Sequence, residues 1–262
     1  MARGNVTAQD KAIVLGHPSY VWREGQERRF ELIRRWVPLE GARILDVGCG
    51  LGLYVRRFRE LCDRVYGVDI DAAKVRQASQ TLANIGQAAA ECLPYRDGSF
   101  DVVLAHEILE HVADDRAAVR EAYRVLRPGG RLVVFAPNRL YPFETHGICW
   151  GAKYHFGNYP LVNYLPGKLR ARLCPHVRAY TRKSLRRLFE ALAGRILVHR
   201  CIFPGYDNIA ARRPCLGKFL RRVTYALEKT PLQFVGLSHF IVYEKAPRQA
   251  CAQVRCFQWK AK

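Results

Sequence analysis

The chain runs to 262 residues without any stretch approaching the roughly 20 uninterrupted apolar residues that a membrane-spanning helix needs. Residues 1–20, MARGNVTAQDKAIVLGHPSY, lack the apolar core of a secretory signal. Both absences lead to the expectation of a cytoplasmic protein. Close-spaced cysteine pairs are missing as well: the nine cysteines are odd in number, scattered, and nowhere form CxxC. That pattern suits neither a zinc knuckle nor the disulfide framework of a small secreted domain. Cys251 and Cys256, the nearest pair, fall in a stretch read as a disordered, solvated tail (246–262). Acidic residues are scarce after Asn138, where 5 of the 23 fall against 23 of the 43 basic ones, a difference of +18 out of the formal +20. A surplus so confined implies an acidic partner for that half.

What is present is an ordinary apolar fraction, 49%, enough for a sizeable core. In GQERRFELIRRWV (25–37) Phe30, Ile33, Trp36 and Val37 recur at helical spacing. Strand-like runs follow at 43–48, 64–69, 100–105 and 131–137, with a weaker one near 87–90. Helical segments YVRRFRELC, DAAKVRQASQTLANIG and DDRAAVREAYRVL alternate with them, the last closed by RPGG. Strands alternating with helices imply a doubly wound α/β sheet, parallel and covered on both faces. After Asn138 the rhythm changes. Residues 139–180 are rich in Tyr, Pro, Gly and His without a period. Thr181 reads as the N-cap of a helix RKSLRRLFEALA ending at Gly194, and strands are expected at 195–203 and 237–245. The basic stretch between them, 204–236, holds the amphipathic LGKFLRRVTYALEK.

Chemistry first shows in ILDVGCGLGLYV (44–55), with glycines at 48, 50 and 52. A dinucleotide fingerprint, GxGxxG, needs its third glycine where this chain has Leu53, and no GK[ST] ending marks a phosphate loop. Instead Asp46 precedes the first glycine by two, an acid that suits a ligand amine and repels a phosphate. Asp69 closes the next strand, from whose carboxyl end it can accept both hydroxyls of a ribose. An amine and a ribose without phosphate describe S-adenosylmethionine.

Four motifs in order, ILDVGCGLG, VYGVDID, LPYRDGSFDVVLAHEILEHV and VLRPGGRLVVFAPN, make residues 40–138 similar to the class I S-adenosylmethionine-dependent methyltransferases. Within them the chain resembles the small-molecule, ubiquinone- and menaquinone-biosynthesis branch. The resemblance implies a Rossmann-like sheet of seven strands, mostly parallel with an antiparallel last strand. One domain would then span 1–245, with a core at 25–138 and substrate-side insertions at 139–180 and 204–236. It also implies a cofactor site: Asp46, Gly48, Cys49 and Gly50 along the methionine part, and Gly52 at the helix start. Asp69 would take the ribose, Ile70 the adenine face, and Glu91, Cys92 and Leu93 the adenine amino group. His106 would lie where the methionine chain passes. Ala89 departs from the family, whose members often carry an acid there.

Methyl transfer asks an enzyme to align the acceptor and, for a hydroxyl, to remove its proton. His111 and His146 are the candidate bases, with Glu144 and Tyr141 beside the latter, and Tyr20 and Trp22 are candidates to close over the cofactor. HEILEH resembles the zinc-protease HExxH, but Glu110 occupies the second ligand's place. His106 and His111 stand five apart, roughly 140° around a helix, so no metal is expected. The Asn/Asp-Pro-Pro-aromatic motif of base-amine methyltransferases is absent, which weighs against nucleic acid despite the pI of 9.9. The expected acceptor is therefore an anionic or amphipathic small molecule, methylated at oxygen and approached from a membrane surface through Lys218, Arg221 and Arg222. The alternatives are an RNA methyltransferase and a non-catalytic cofactor-binding protein.

Overall fold

The computed structural model describes residues 23–151 and 153–247; Tyr20, Trp22, Cys251, Cys256 and nearly all of the expected tail lie outside them. Seven strands build the main sheet: β1 Ile44–Val47, β2 Val65–Asp69, β3 Ile85–Gln87, β4 Phe100–His106, β5 Leu126–Pro137, β6 Gly194–Ile202 and β7 Ser238–Lys245. Their spatial order is β3-β2-β1-β4-β5-β7-β6. The first five pair in parallel, and β7 lies antiparallel between β5 and β6, as expected. The helices are α1 Glu24–Trp36, α2 Leu53–Arg59, α3 Ala72–Ser79, α4 Asp115–Val125, α5 Gly167–Leu173, α6 Arg182–Arg186, α7 Asp207–Arg212 and α8 Pro214–Leu227.

Side chains alternate across the pleat, and this divides the core in two. Leu45, Val47, Val103, Ala105, Leu132 and Val134 pack on one face with residues of α4 and α6. Ile44, Val65, Val102, Leu104, Val133 and Phe135 pack on the other with residues of α1 and α2. Each fully buried side chain of this kind contributes about 1.5–3 kcal/mol, which makes the sheet the rigid part of the molecule. Asp71 and Asp114 cap α3 and α4, each accepting two backbone N–H groups. Thr181 caps α6 in a reciprocal exchange with Ser184.

Three helices are shorter than the sequence suggests, the first ending at Arg59 rather than at Cys62, the end of YVRRFRELC. The segment expected to stay helical to 86 leaves α3 at Ser79; Asn84 turns left-handed (φ +54°) and its carbonyl accepts from Gly67, so β3 begins at Ile85. After α6 the chain continues in tight turns, with N–H groups of Leu188, Phe189 and Leu192 bonded three residues back. That tighter pitch brings Leu185 and Leu188 to one side, and both are buried along with Phe189.

Because β7 reverses, the end of β6 (Ile202), the start of β7 (Ser238) and the end of β5 (Pro137) share one edge of the sheet. Both insertions therefore leave the sheet from this carboxyl edge. The first insertion folds around two short antiparallel ladders, Phe143–Glu144 with Tyr159–Pro160 and Ile148–Trp150 with Lys153–His155, and α5. The second is the α7–α8 pair, where Gly217 permits close approach: a Cβ there would lie 2.5 Å from that of Ala210. Among the described residues no helix is long and apolar enough to cross a membrane.

Candidate active site

The glycine turn after β1 is closed by backbone bonds from Gly48 and Cys49 to the Val68 carbonyl, at 2.7 and 2.9 Å. Gly48, Gly50 and Gly52 all take left-handed φ values, +76°, +54° and +77°. Their surroundings differ. A Cβ on Gly48 would strike Ile108 (2.5 Å) and one on Gly52 would strike Leu82 (2.3 Å), whereas one on Gly50 would meet nothing within 4 Å among the described residues. Two glycines thus serve packing, and Gly50 faces open space where a ligand can lie against the backbone. Cys49 is a buried filler, seated where Gly67 leaves room (2.8 Å from Sγ to a Cβ there).

Asp46 is 2% exposed; burial first, and then the nearby Asp69 charge, push its carboxyl up to about 8. Such a carboxylate is complementary to a cation. Asp69 braces the turn, accepting Gly50 N–H on one oxygen at 2.8 Å and Asp71 N–H on the other at 2.9 Å. Four lone-pair sites on a carboxylate leave capacity for ribose hydroxyls besides these two. Ile70 beside it is 67% exposed, an apolar side chain available to cover a base.

The expected adenine-amino segment is more committed. Glu91 accepts from Ala113 (2.8 Å) and Asp114 (3.3 Å), so its carboxylate caps the turn before α4. The Leu93 N–H is bonded to Glu121 at 2.8 Å, and Cys92 is exposed. Both Glu91 bonds fall on its Oε1, and Oε2 takes part in neither.

His106 ends β4 between the rings of Tyr54 (4.7 Å) and Phe135 (5.2 Å). Arg29 from α1 reaches its Nε2 at 2.9 Å, Ser238 at 3.1 Å and Glu107 at 2.7 Å. An arginine can only donate, so His106 accepts at Nε2 and is neutral; burial and Arg29 push it down to about 4. Burial raises Glu107, yet the guanidinium outweighs it and holds the carboxyl at about 2. Glu107 adopts a left-handed φ of +51°, which turns the chain away from the strand.

His111 and His146, far apart in sequence, come together at this edge with ring centroids 5.7 Å apart. Glu110 joins them: one ligand-capable atom from each of the three lies within 4.8 Å of the others. The expectation of no metal rested on pairing His111 with His106, but the partners of His111 come from the turn itself and the following insertion. Glu110 is buried, and burial followed by Glu107 raises it to about 8. His111 is pushed down to about 4 by burial and by His146. His146 bonds Glu144 at 3.0 Å, which more than offsets burial and raises its pKa. Arg170 completes the chain of contacts, reaching Glu144 (2.5 Å), Asn163 (3.1 Å) and the Val177 carbonyl (3.1 Å). Tyr141 packs on Phe143 at 5.9 Å, at the base of the same insertion.

Arg29, Glu110 and Arg170 were missed from sequence. Glu110 had a signal, since Glu107, Glu110 and His111 share the i, i+3, i+4 spacing; Arg29 and Arg170 had none. Arg221, expected at a membrane face, is held instead by Glu24, by Asp207 (3.2 Å) and by the Gly205 carbonyl (2.6 Å). Lys218 and Arg222 are exposed.

This sheet order with its reversed β7, the glycine turn over Asp46 and the acid ending β2 are the arrangement that the resemblance to class I S-adenosylmethionine-dependent methyltransferases implies. Residues 45–134 match the family model described as a methyltransferase domain. The chain is 34% identical over 149 residues to a ubiquinone biosynthesis O-methyltransferase of Parvibaculum lavamentivorans, covering 54% of this chain and 58% of the relative. It is 37% identical over 111 residues to the protein of the same name from Ralstonia nicotianae, covering 40% and 47%. The chain thus spans about half the length of these relatives. A solved S-adenosylmethionine-dependent methyltransferase from Mesorhizobium loti shares the fold, with a TM-score of 0.58 at 21% identity over 83% of this chain and 97% of that one.

Proposed function

We propose that the protein transfers a methyl group from S-adenosylmethionine to a hydroxyl oxygen of an anionic or amphipathic small molecule. The residues fit the cofactor on two observations: a buried carboxylate, Asp46, that suits an ammonium, and the open face at Gly50 that a Cβ would fill. When bound, S-adenosylmethionine supplies a methyl group on a positive sulfur, ready for in-line attack. Asp46 would hold the amino group, Asp69 the ribose and Ile70 the adenine. Gly48, Cys49 and Gly52 shape the turn around the methionine part, and Glu91, Cys92 and Leu93 form the wall beyond the base.

The observation that carries the acceptor side is the meeting of His111 and His146 at the sheet's carboxyl edge. Gly48 touches Ile108, which sits in the turn that ends in His111, so the acceptor pocket borders the cofactor turn. His146, made more basic by Glu144, is the better proton acceptor; His111 orients the hydroxyl and His106 walls the site. The relatives named above as O-methyltransferases support oxygen as the target. All seven cysteines among the described residues are free thiols, which suits the cytoplasm.

The second insertion supports an amphipathic acceptor reached at an anionic membrane surface. On α8, Leu216, Phe219 and Val223 are 40%, 62% and 41% exposed, with Lys218 and Arg222 beside them. The test is mass spectrometry of cell extract incubated with the protein and deuteromethyl-labelled cofactor. A labelled methyl ether on a small molecule is expected; label confined to RNA, or no label despite cofactor binding, overturns the proposal.

A further inference from the structure

We propose that Glu110, His111 and His146 bind one divalent transition-metal cation of the zinc, cobalt or manganese class, with coordination positions left open for an oxygen of the acceptor. Their three candidate ligand atoms lie within 4.8 Å of one another and come from two separate segments, the turn after β4 and the loop after β5. Glu110 is 1% exposed, and among the described residues neither of its oxygens has a hydrogen-bond partner. A buried carboxylate without a donor or counter-ion costs several kcal/mol, and a bound cation removes that cost.

His146 is already fixed from behind. Its Nδ1 is bonded to Glu144 at 3.0 Å, and Glu144 to Arg170 at 2.5 Å, which leaves Nε2 for a cation. The His111 ring stands edge-on to that of His146, with centroids 5.7 Å apart. A carboxylate behind an imidazole is the arrangement that sets the tautomer and orientation of a metal-ligating histidine. Glu107 stays out of this three-residue group, and its Oε1 is bonded to Arg29 (2.7 Å) and Ser238 (3.2 Å).

Two imidazoles and one carboxylate favour zinc, cobalt, manganese or iron over magnesium or calcium, which prefer all-oxygen ligands. Three protein ligands also match the number in catalytic zinc sites, where a further position holds water or substrate. An acceptor hydroxyl entering that position forms a metal–oxygen bond and loses its proton to solvent. His146 is then a ligand, and the cation's charge replaces it in generating the nucleophilic oxygen. This deepens the reading given under Proposed function and rests on it.

The full-length protein, stripped of metal with a chelator, is titrated with cobalt(II) and zinc(II) by calorimetry and visible absorption, and separately with S-adenosylmethionine. One cation per chain is expected, with cobalt bands typical of a nitrogen–oxygen site. Glu110→Gln should abolish uptake while folding at least as well, because it removes a buried charge. Glu144→Gln, which loosens His146 without removing a ligand, should weaken uptake about 10–100-fold. Protein that binds S-adenosylmethionine but takes up neither cation overturns the site and leaves the methyltransferase reading intact. Uptake unchanged in Glu110→Gln overturns it too. Cation uptake lost in Glu110→Gln, in a protein that ignores S-adenosylmethionine, upholds the site and sinks the methyltransferase reading alone.

Discussion

Replacing Asp46 with asparagine should stabilise the cofactor-free protein at alkaline pH while abolishing tight cofactor binding. The carboxyl rises from its ordinary 3.8 to about 8, so between those values the native protein holds a proton that the unfolded chain has released. Stability therefore falls as pH rises through this window, and the full loss is reached above about pH 8. At about 1.4 kcal/mol per tenfold change, the ceiling is on the order of 5 kcal/mol. Asparagine carries no such cost. Since about 1 kcal/mol moves the melting temperature of a protein this size by about 2–4 °C, Asp46→Asn should melt at least about 4 °C higher than wild type at pH 8.5. The two should nearly coincide at pH 4. Binding reverses the order: the ligand ammonium pairs with ionised Asp46, so association releases a proton and wild-type affinity climbs up to tenfold per pH unit towards pH 8. Calorimetry in buffers of different ionisation enthalpy reads that proton directly. Wild-type affinity in Asp46→Asn, or no proton release by the parent, would refute the assignment of this carboxylate to the cofactor's amine.

Other expectations separate support from contact. Gly50→Ala should cost about 1–2 kcal/mol for its left-handed backbone yet lose cofactor affinity, because its Cβ fills the open face. Gly52→Ala, whose Cβ meets Leu82 at 2.3 Å, should show its larger effect in denaturant unfolding. Arg29→Leu should let His106 titrate above about 4, though still short of 6.5 because burial remains the larger cause; imidazole resonances followed against pH would show it. On α8, Phe219→Glu and Lys218→Glu should lower flotation with anionic vesicles at moderate salt, and Arg222→Glu likewise. Arg221→Gln should instead lower the melting temperature, since Arg221 ties α8 to Glu24 and Asp207.

The sheet was legible because its strands are local, continuously apolar and punctuated by caps such as Asp114 and turns such as Arg127–Gly130. The glycine turn was legible for the same reason: Asp46, the three glycines and Asp69 stand where the chain itself bends, so spacing encodes geometry. The bonds from Glu91 to residues 113 and 114 had no signal, because they join segments 22 and 23 residues apart. On the acceptor side the decisive contacts join residues 26 to 131 positions apart, such as Glu144 with Arg170 and Ser238 with Glu107. No local pattern announces such pairs. Even so, topology alone foretold that both insertions would leave from one edge, since β7 is reversed.

Besides Asp69, which accepts two backbone N–H groups, four buried or half-buried carboxylates near this edge sort by whether the chain gives them a positive partner. Glu107 has Arg29 at 2.7 Å and Glu144 has Arg170 at 2.5 Å; each pair pins one element, α1 in the first case and the loop after β5 in the second. Asp46 and Glu110 are just as deeply buried, yet among the described residues no arginine or lysine ion-pairs with either. Leaving a carboxylate dry and unpaired is expensive enough that a fold keeps it only where something else arrives to compensate. Asp46 stands two residues before Gly48 and Glu110 two after Ile108, and a Cβ on Gly48 would lie 2.5 Å from the Ile108 side chain. On the proposals above, the first would await an ammonium and the second a dication. If so, Asp46→Asn and Glu110→Gln should each stabilise the ligand-free protein at alkaline pH, and their gains should add. The reverse, a destabilised variant in either case, would mean that the carboxylate has a structural partner and no ligand to wait for.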